Sequence, residues 1–194
     1  MELLFQKARL YNVLENYLNT IKEDINSAAF TEFQNKDSNA IVEHFSQKYK
    51  IEPPALLYDK AFKSEPEEIT ISSRSYGREY NTPAFLVTVS IPVSGNSELL
   101  NFMPSQSTTT YPEGELTDNE LNLSFRWPQN SKYELKKEYN ERIELLKNYI
   151  DWIKEDVNRY IPKIADLIKS IVIKKLEGIN NAKSVADEID LPIR

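Results

Sequence analysis

Cysteine is absent from this sequence of 194 residues, which excludes disulfide bridges and thiolate metal sites. Histidine occurs once, as His44 beside Phe45, and a lone imidazole without a Glu-x-x-His arrangement is a poor metal ligand that reads as structural. Glycine occurs only 4 times. Neither a Gly-x-Gly-x-x-Gly nor a Gly-Lys-Ser/Thr phosphate loop can be built from so few, and each glycine is expected to mark a backbone requirement. Ser94-Gly95 lacks the frame of a nucleophile elbow and reads as a turn. Apolar runs fall far short of the roughly 18 residues of a membrane span. Positive charge is also in short supply, with 24 Lys+Arg against 30 Asp+Glu and a net charge of -6. Counterion release needs clustered cations, so direct nucleic-acid binding is not expected. Lys136-Lys137 and Lys174-Lys175 read as solvated helix faces. A soluble protein away from membranes is therefore expected, in the cytoplasm that absence of cysteine permits, with no cofactor, no metal and no catalytic residue.

What is present is enough apolar material for a core, 40% hydrophobic residues with 11% aromatic. Leu3, Leu4, Leu10, Val13, Leu14, Tyr17, Leu18, Ile21 and Ile25 fall at helical spacing and predict one amphipathic helix ending near Asn26-Ser27. Asp37 or Ser38 can cap a second helix with Ile41, Val42, Phe45 and Tyr49 on one face, stopped by Pro53-Pro54. From Ala55 the period changes to two. Ile69 and Ile71 alternate with polar residues, as do Phe85, Val87, Val89 and Ile91, and then Leu121, Leu123, Phe125 and Trp127. Strands of this kind belong to an antiparallel sheet covered on one face.

Turns are expected at Ser94-Gly95-Asn96, Pro112-Glu113-Gly114 and Asp118-Asn119. They would set off further strands at 99–103 and in the threonine-rich stretch before Pro112. The segment 74–83 reads as a long, mobile hairpin connection. Its Arg74, Tyr76, Arg78 and Tyr80 form a candidate loop for a ligand or partner, by stacking and cation–π contact. Carboxylates are abundant; Glu65, Glu67, Glu68, and the group Glu113, Glu115, Asp118 and Glu120, read as solvated turn charges.

After 128–131 the chain turns helical, with Ser131 and Glu134 as a possible capping box. Apolar residues then recur at Ile143, Leu146, Ile150, Ile153, Val157, Tyr160, Ile164, Leu167 and Ile171, alternately three and four apart, the 3.5-residue interval of a coiled-coil seam. Pro162 lies between seam positions, so one long helix over about 132–177, kinked near Asn158, is preferred to a helical hairpin. Gly178 is expected to end it, before a further short helix over 183–189. Such a ridge is longer than a sheet of ordinary strands can cover. A homodimer or an effector protein is therefore expected on Ile143, Leu146, Ile150, Ile153, Val157 and Tyr160, with Trp152 on the flank.

The fold expected is α+β, with an antiparallel sheet of about five to six strands, N-terminal helices and a long kinked C-terminal helix. Its divisions are expected to be 1–130 and 131–194. Three stretches, IPVSGNSELLNFMPS (91–105), the segment Tyr149-Ile150-Asp151-Trp152-Ile153 through Asn158, and SVADEIDLPIR (184–194), resemble a module of bacterial phage-defence or conflict-system proteins. In those proteins it precedes restriction-endonuclease-like domains or accompanies Toll/interleukin-receptor-like domains, and an ending similar to LPIR leads to the effector. The resemblance implies a regulatory part, excised or free-standing, and no catalytic residue. The expected function is a non-catalytic interaction or sensing module. The alternative is a small-molecule or nucleotide sensor with its site between the sheet and the 74–83 hairpin, and a third reading is an enzyme using Glu113 and Glu115.

Overall fold

The computed structural model describes residues 2–33, 36–75 and 77–188 and has the α+β architecture that the two periods imply. In chain order its elements are β1 (Glu2–Leu3), α1 (Leu10–Ser27), α2 (Phe30–Phe33), α3 (Ser38–Lys48), β2 (Ala55–Leu56), β3 (Phe62–Lys63), β4 (Glu67–Ser75), β5 (Arg78–Ser94), β6 (Glu113–Thr117), β7 (Glu120–Pro128) and α4 (Leu135–Asp187). Short 3-10 turns occupy Tyr58–Lys60 and Ser97–Asn101. The chain divides into two compact units, Met1–Leu10 with Glu52–Asp156, and Tyr11–Ile51 with Val157–Arg194. The expected division at 130/131 is thus replaced by one in which α4 gives 135–156 to the first unit and 157–187 to the second. Among the described residues, no helix is long and apolar enough to cross a membrane.

The first unit is built on β5. Along one side it pairs antiparallel with β7, from Ala84↔Pro128 to Pro92↔Glu120; along the other it pairs in turn with β4, β3 and β2. β6 extends the sheet from β7, and β1 closes that side. The alternation in β7 is clean, with Leu121, Leu123 and Phe125 buried and the residues between them only partly covered. That buried face meets the first turns of α4, where the Tyr139 ring lies 6.2 Å from Phe125 and Arg142 reaches over Phe125 to donate to the Ser124 carbonyl at 3.1 Å. Asp118 and Asn119 connect β6 to β7 in left-handed backbone, which short polar side chains tolerate in a tight hairpin.

Several expected elements differ. Leu3 and Leu4 do not start a helix: Leu3 pairs in β1, while Leu4 and Phe5 are buried and α1 begins at Leu10. The apolar spacing there serves a strand end and a plug rather than a helical face. Residues 74–83 are not a loop, because β4 and β5 stay in register out to Ser75↔Arg78, with Gly77 at φ 76° between them. Residues 99–103 start within a 3-10 turn, where Leu99 and Leu100 are both buried, and the threonine-rich stretch forms no strand. That stretch is held instead by α4. Asp156, buried, accepts from the amide and hydroxyl of Ser105, each at 2.7 Å, and the buried Tyr149 hydroxyl meets the Thr108 amide at 3.2 Å and the Thr110 carbonyl at 3.1 Å.

The second unit packs α1, α2, α3 and the far part of α4 around Ile21, Ile25, Phe33, Ile41, Phe45, Tyr49, Ile164, Ile168, Val172 and Ile179. Asp37 caps α3 as expected, accepting from the Asn39 amide at 3.0 Å. Lys175 donates to the carbonyls of Ile25, Asn26 and Ala28 at 2.6 to 2.8 Å, satisfying the acceptors that the end of α1 leaves open. Burial lowers the pKa of its ammonium. Asp24 accepts from Lys48 at 2.7 Å and from the Tyr49 hydroxyl, and these bonds hold its carboxyl below the usual range.

α4 settles the question posed by Pro162. It is one continuous helix, beginning at Leu135 rather than near 132 and passing both Pro162 and Gly178 to Asp187. Pro162 deprives the Asn158 carbonyl of its amide, and both residues are exposed, so water can take the lost donor's place. Gly178 ends nothing. The separate helix expected over 183–189 is this helix continued as far as Asp187, and Ile189 lies outside the described residues.

The glycines give opposite predictions. Gly95 has φ 75°, and a Cβ there would stand 2.3 Å from the Pro53 carbonyl oxygen, beside the bond from the Asn96 amide to the Glu52 carbonyl. Gly95→Ala is expected to cost more than about 1 kcal/mol in urea unfolding. Gly178 sits exposed inside a helix, and a Cβ added there would meet nothing within 4 Å, so Gly178→Ala is expected to add about 0.5–1 kcal/mol in the same assay.

Candidate functional site

The ridge expected to meet a partner is already covered. Ile143, Leu146, Ile150, Ile153, Val157 and Tyr160 are all buried within the single chain, at 8% exposure or less. Trp152 is partly buried and set edge-on to Tyr149 at 5.1 Å, as core filler on the flank. The Tyr160 hydroxyl donates to Glu15 at 2.6 Å. Beyond Ile164 the buried positions are Ile168, Val172 and Ile179, with Leu167 and Ile171 only partly covered. The stripe follows the 3.6-residue turn of a straight helix, not the 3.5-residue seam of a coiled coil. These residues are core, and the ridge gives no reason to look for a second copy.

The second expected site also changes. Arg74 and Tyr80 are exposed on the paired strands of the β4–β5 hairpin, Arg78 is in β5 opposite Ser75, and Tyr76 lies outside the described residues. The hairpin continues the sheet, so the expected pocket between sheet and hairpin has no floor. Glu113, Glu115 and Asp118 are exposed. His44 is exposed as well, with its ring 5.3 Å from Phe45. Among the described residues, no three His, Asp or Glu side chains are grouped to hold a metal ion.

The structure does form an open groove of about 580 Å³ in the first unit. The chain builds it where β5 carries β3 in place of the finished β4, leaving Val87 and Val89 to be covered by an irregular segment. That segment comes from 58–63. α3 ends at Lys48, ahead of Pro53-Pro54, the 3-10 turn Tyr58–Lys60 follows, and Phe62 and Lys63 pair with Ser90 and Val89. Leu135, Lys136 and Tyr139 from the first turn of α4 form the opposite wall. Val87 is buried, whereas Phe62 is 56% exposed, a large ring left in water beside an apolar floor.

Two phenols and two ammonium groups supply the polarity of this lining. Burial, with Tyr139 and Asp151 adding smaller effects, pushes the Tyr58 hydroxyl up to about 12, so it stays protonated and can donate a hydrogen bond. Lys147 lies 5.2 Å from the centre of the Tyr58 ring. Lys63 and Lys136 are exposed at the rim. The lining has no carboxylate, imidazole or hydroxyl nucleophile beside a base. Such an arrangement can hold a flat apolar body by its floor and an anion by its rim.

Sequence reasoning missed this groove because Tyr58, Ala61, Phe62 and Lys63 belong to no periodic pattern. The available signal was two aromatic residues in a short irregular stretch between Pro54 and Pro66, with no core face of their own. The chain matches no protein-family model, no curated protein and no solved structure.

The raised phenol is directly measurable. Absorbance titration is expected to show a phenolate component near pH 12 that disappears in Tyr58→Phe, while the late titration of Tyr133, whose hydroxyl burial and Glu138 also push up, is kept.

Proposed function

We propose that this chain is a non-catalytic sensing module whose ligand, a small flat molecule carrying negative charge, lies in the groove between β3, β5 and the start of α4. An aromatic carboxylate and a nucleotide share that chemistry. The observation that carries the reading is the pairing of an apolar floor, Val87 and Val89, and the exposed Phe62 ring beside it, with Lys63 and Lys136 in the lining of a groove of about 580 Å³. Its volume falls within the range of about 300–1,000 Å³ usual for small-ligand sites. The floor would stack or cover the ring, the ammonium groups would meet the anion, and the protonated Tyr58 would donate to an acceptor at the inner wall. On this reading the module controls an effector in cis or in trans. The resemblance of 91–105, 149–158 and 184–194 to conflict-system proteins supports a setting in prokaryotic defence.

Thermal unfolding and calorimetric titration against nucleotides and aromatic carboxylates test the reading. A true ligand at about a hundred times its Kd is expected to add about 2.7 kcal/mol of stability. Phe62→Ala and Lys63→Glu are each expected to weaken its binding about tenfold without changing the unfolding of the free protein by more than about 0.5 kcal/mol. The reading fails if no member of either class binds, or if binding is indifferent to both substitutions.

A further inference from the structure

The β4–β5 hairpin carries a strand edge that monomeric proteins ordinarily guard. β7 accompanies β5 only from Ala84 onward, so among the described residues the sole neighbour of β5 in the sheet over 78–83 is β4, and β4 has no second neighbour along its length. Residues 72–74 and 79–83 are exposed, and Ile69 and Ile71 are only half-buried. A two-stranded ribbon without further support is marginal in water, and a third or fourth strand is what stabilises it.

The two free edges are not alike. On β5, Pro83 stands where β7 ends, and a proline interrupts the row of donors that a new strand would need. On β4 the run Ile69-Thr70-Ile71-Ser72-Ser73 holds no proline and no charge, and nine consecutive one-to-one pairs leave no bulge to twist the edge away. Lysine, proline and bulges are the usual protections, and none is found there.

The charges at the ends of β4 identify what fits. Its sequence is Glu67-Glu68-Ile-Thr-Ile-Ser-Ser-Arg74-Ser75, acidic at the start and basic near the end. A second copy of β4 laid antiparallel along it, with the two Ile71 residues opposite each other, brings each Glu68 opposite the other copy's Arg74. Both lie on the face that also carries Thr70 and Ser72, as opposite residues in an antiparallel pair must. Within its own hairpin Arg74 stands opposite Glu79, so in the pair it would lie between two carboxylates. Opposite charges directly across a strand pair stabilise it, and like charges destabilise it.

We infer that β4 is a self-complementary edge through which two copies of this chain associate about a two-fold axis at Ile71, joining their sheets through four successive strands in the order β5, β4, β4, β5. The interface is isologous, so the Glu68 to Arg74 contact is made twice. The inference is independent of the ligand groove and holds whatever occupies it.

Charge reversal with the full chain tests it by sedimentation equilibrium and light scattering over a concentration series. The natural sequence is expected to dimerise. Glu68→Arg alone sets arginine against arginine twice, Arg74→Glu alone sets glutamate against glutamate twice, and each is expected to raise the dimer Kd about tenfold or more. An equimolar mixture of the two variants is expected to restore dimers, now mixed ones, because every cross-strand pair is again opposite in sign. Circular dichroism of each variant checks that the fold is kept, and Ile71→Lys, which places lysine against lysine at the axis, gives a second disruption that leaves Arg74 beside Glu79. A natural sequence that stays monomeric throughout overturns the inference, including one whose edge captures only an added extended peptide. So does a dimer indifferent to the substitutions, or a mixture that does not recover.

Discussion

The ring of Tyr149 is where the first unit is tied together. It is fully buried, stacked on Phe5 at 4.7 Å, tilted against Tyr111 at 6.0 Å and met edge-on by Trp152 at 5.1 Å. Its hydroxyl serves the backbone of Thr108 and Thr110. One side chain of α4 therefore orders the N-terminal segment and an irregular stretch of the chain that has no ladder of its own. Phe5 has φ 61°, a conformation that costs a bulky residue of order 1–3 kcal/mol and persists only where surroundings dictate it. Burial of its whole ring against Tyr149 is what dictates it. Asp156, two turns further along the helix, repeats the device with Ser105 through two charge-assisted bonds.

The groove follows from the same economy. Because α4 is held at Tyr149 and Asp156 and again at Arg142, its first turns are fixed over the face of β5 and β7. Among the described residues, the groove beside that face is lined on its far side by the short segment 58–63. That segment is too short to fill the space, so Phe62 remains half out in water, and burial reaches the Tyr58 hydroxyl without closing over it.

Much of the architecture could be read from periodicity, for a physical reason. A strand with one wet face must alternate, as β7 does from Leu121 to Phe125, and a helix such as α3 with an Asp37 cap and Ile41, Phe45 and Tyr49 on one face has few other folds open to it. Where a residue's surroundings come from distant parts of the chain, the pattern misleads. Leu3 and Leu4 continue the spacing of α1 but are drawn into β1 and the core by β6 and the segment before it. The ridge on α4 was visible as a ridge, yet intervals of 3.5 and 3.6 residues differ by about 20° per heptad, too little to separate over the stretch before Pro162. Tyr149 fell outside the seam because its role is set by Phe5 and by Thr108, neither of which is near it in sequence. The groove was illegible for the same reason, being made of residues whose neighbours are chosen by topology.

The second unit is assembled from two stretches of chain, 11–51 and 157–194, with most of the first unit between them in sequence. Nascent chain emerges at about 5–20 residues per second, so during synthesis the faces of α1 and α3 that carry Ile21, Ile25, Ile41 and Phe45 wait several seconds for their counterpart on α4. The sheet can form during that interval. The helical unit cannot close before α4 has been synthesised, so the order of the chain leaves the apolar faces of α1 and α3 without that cover for the interval.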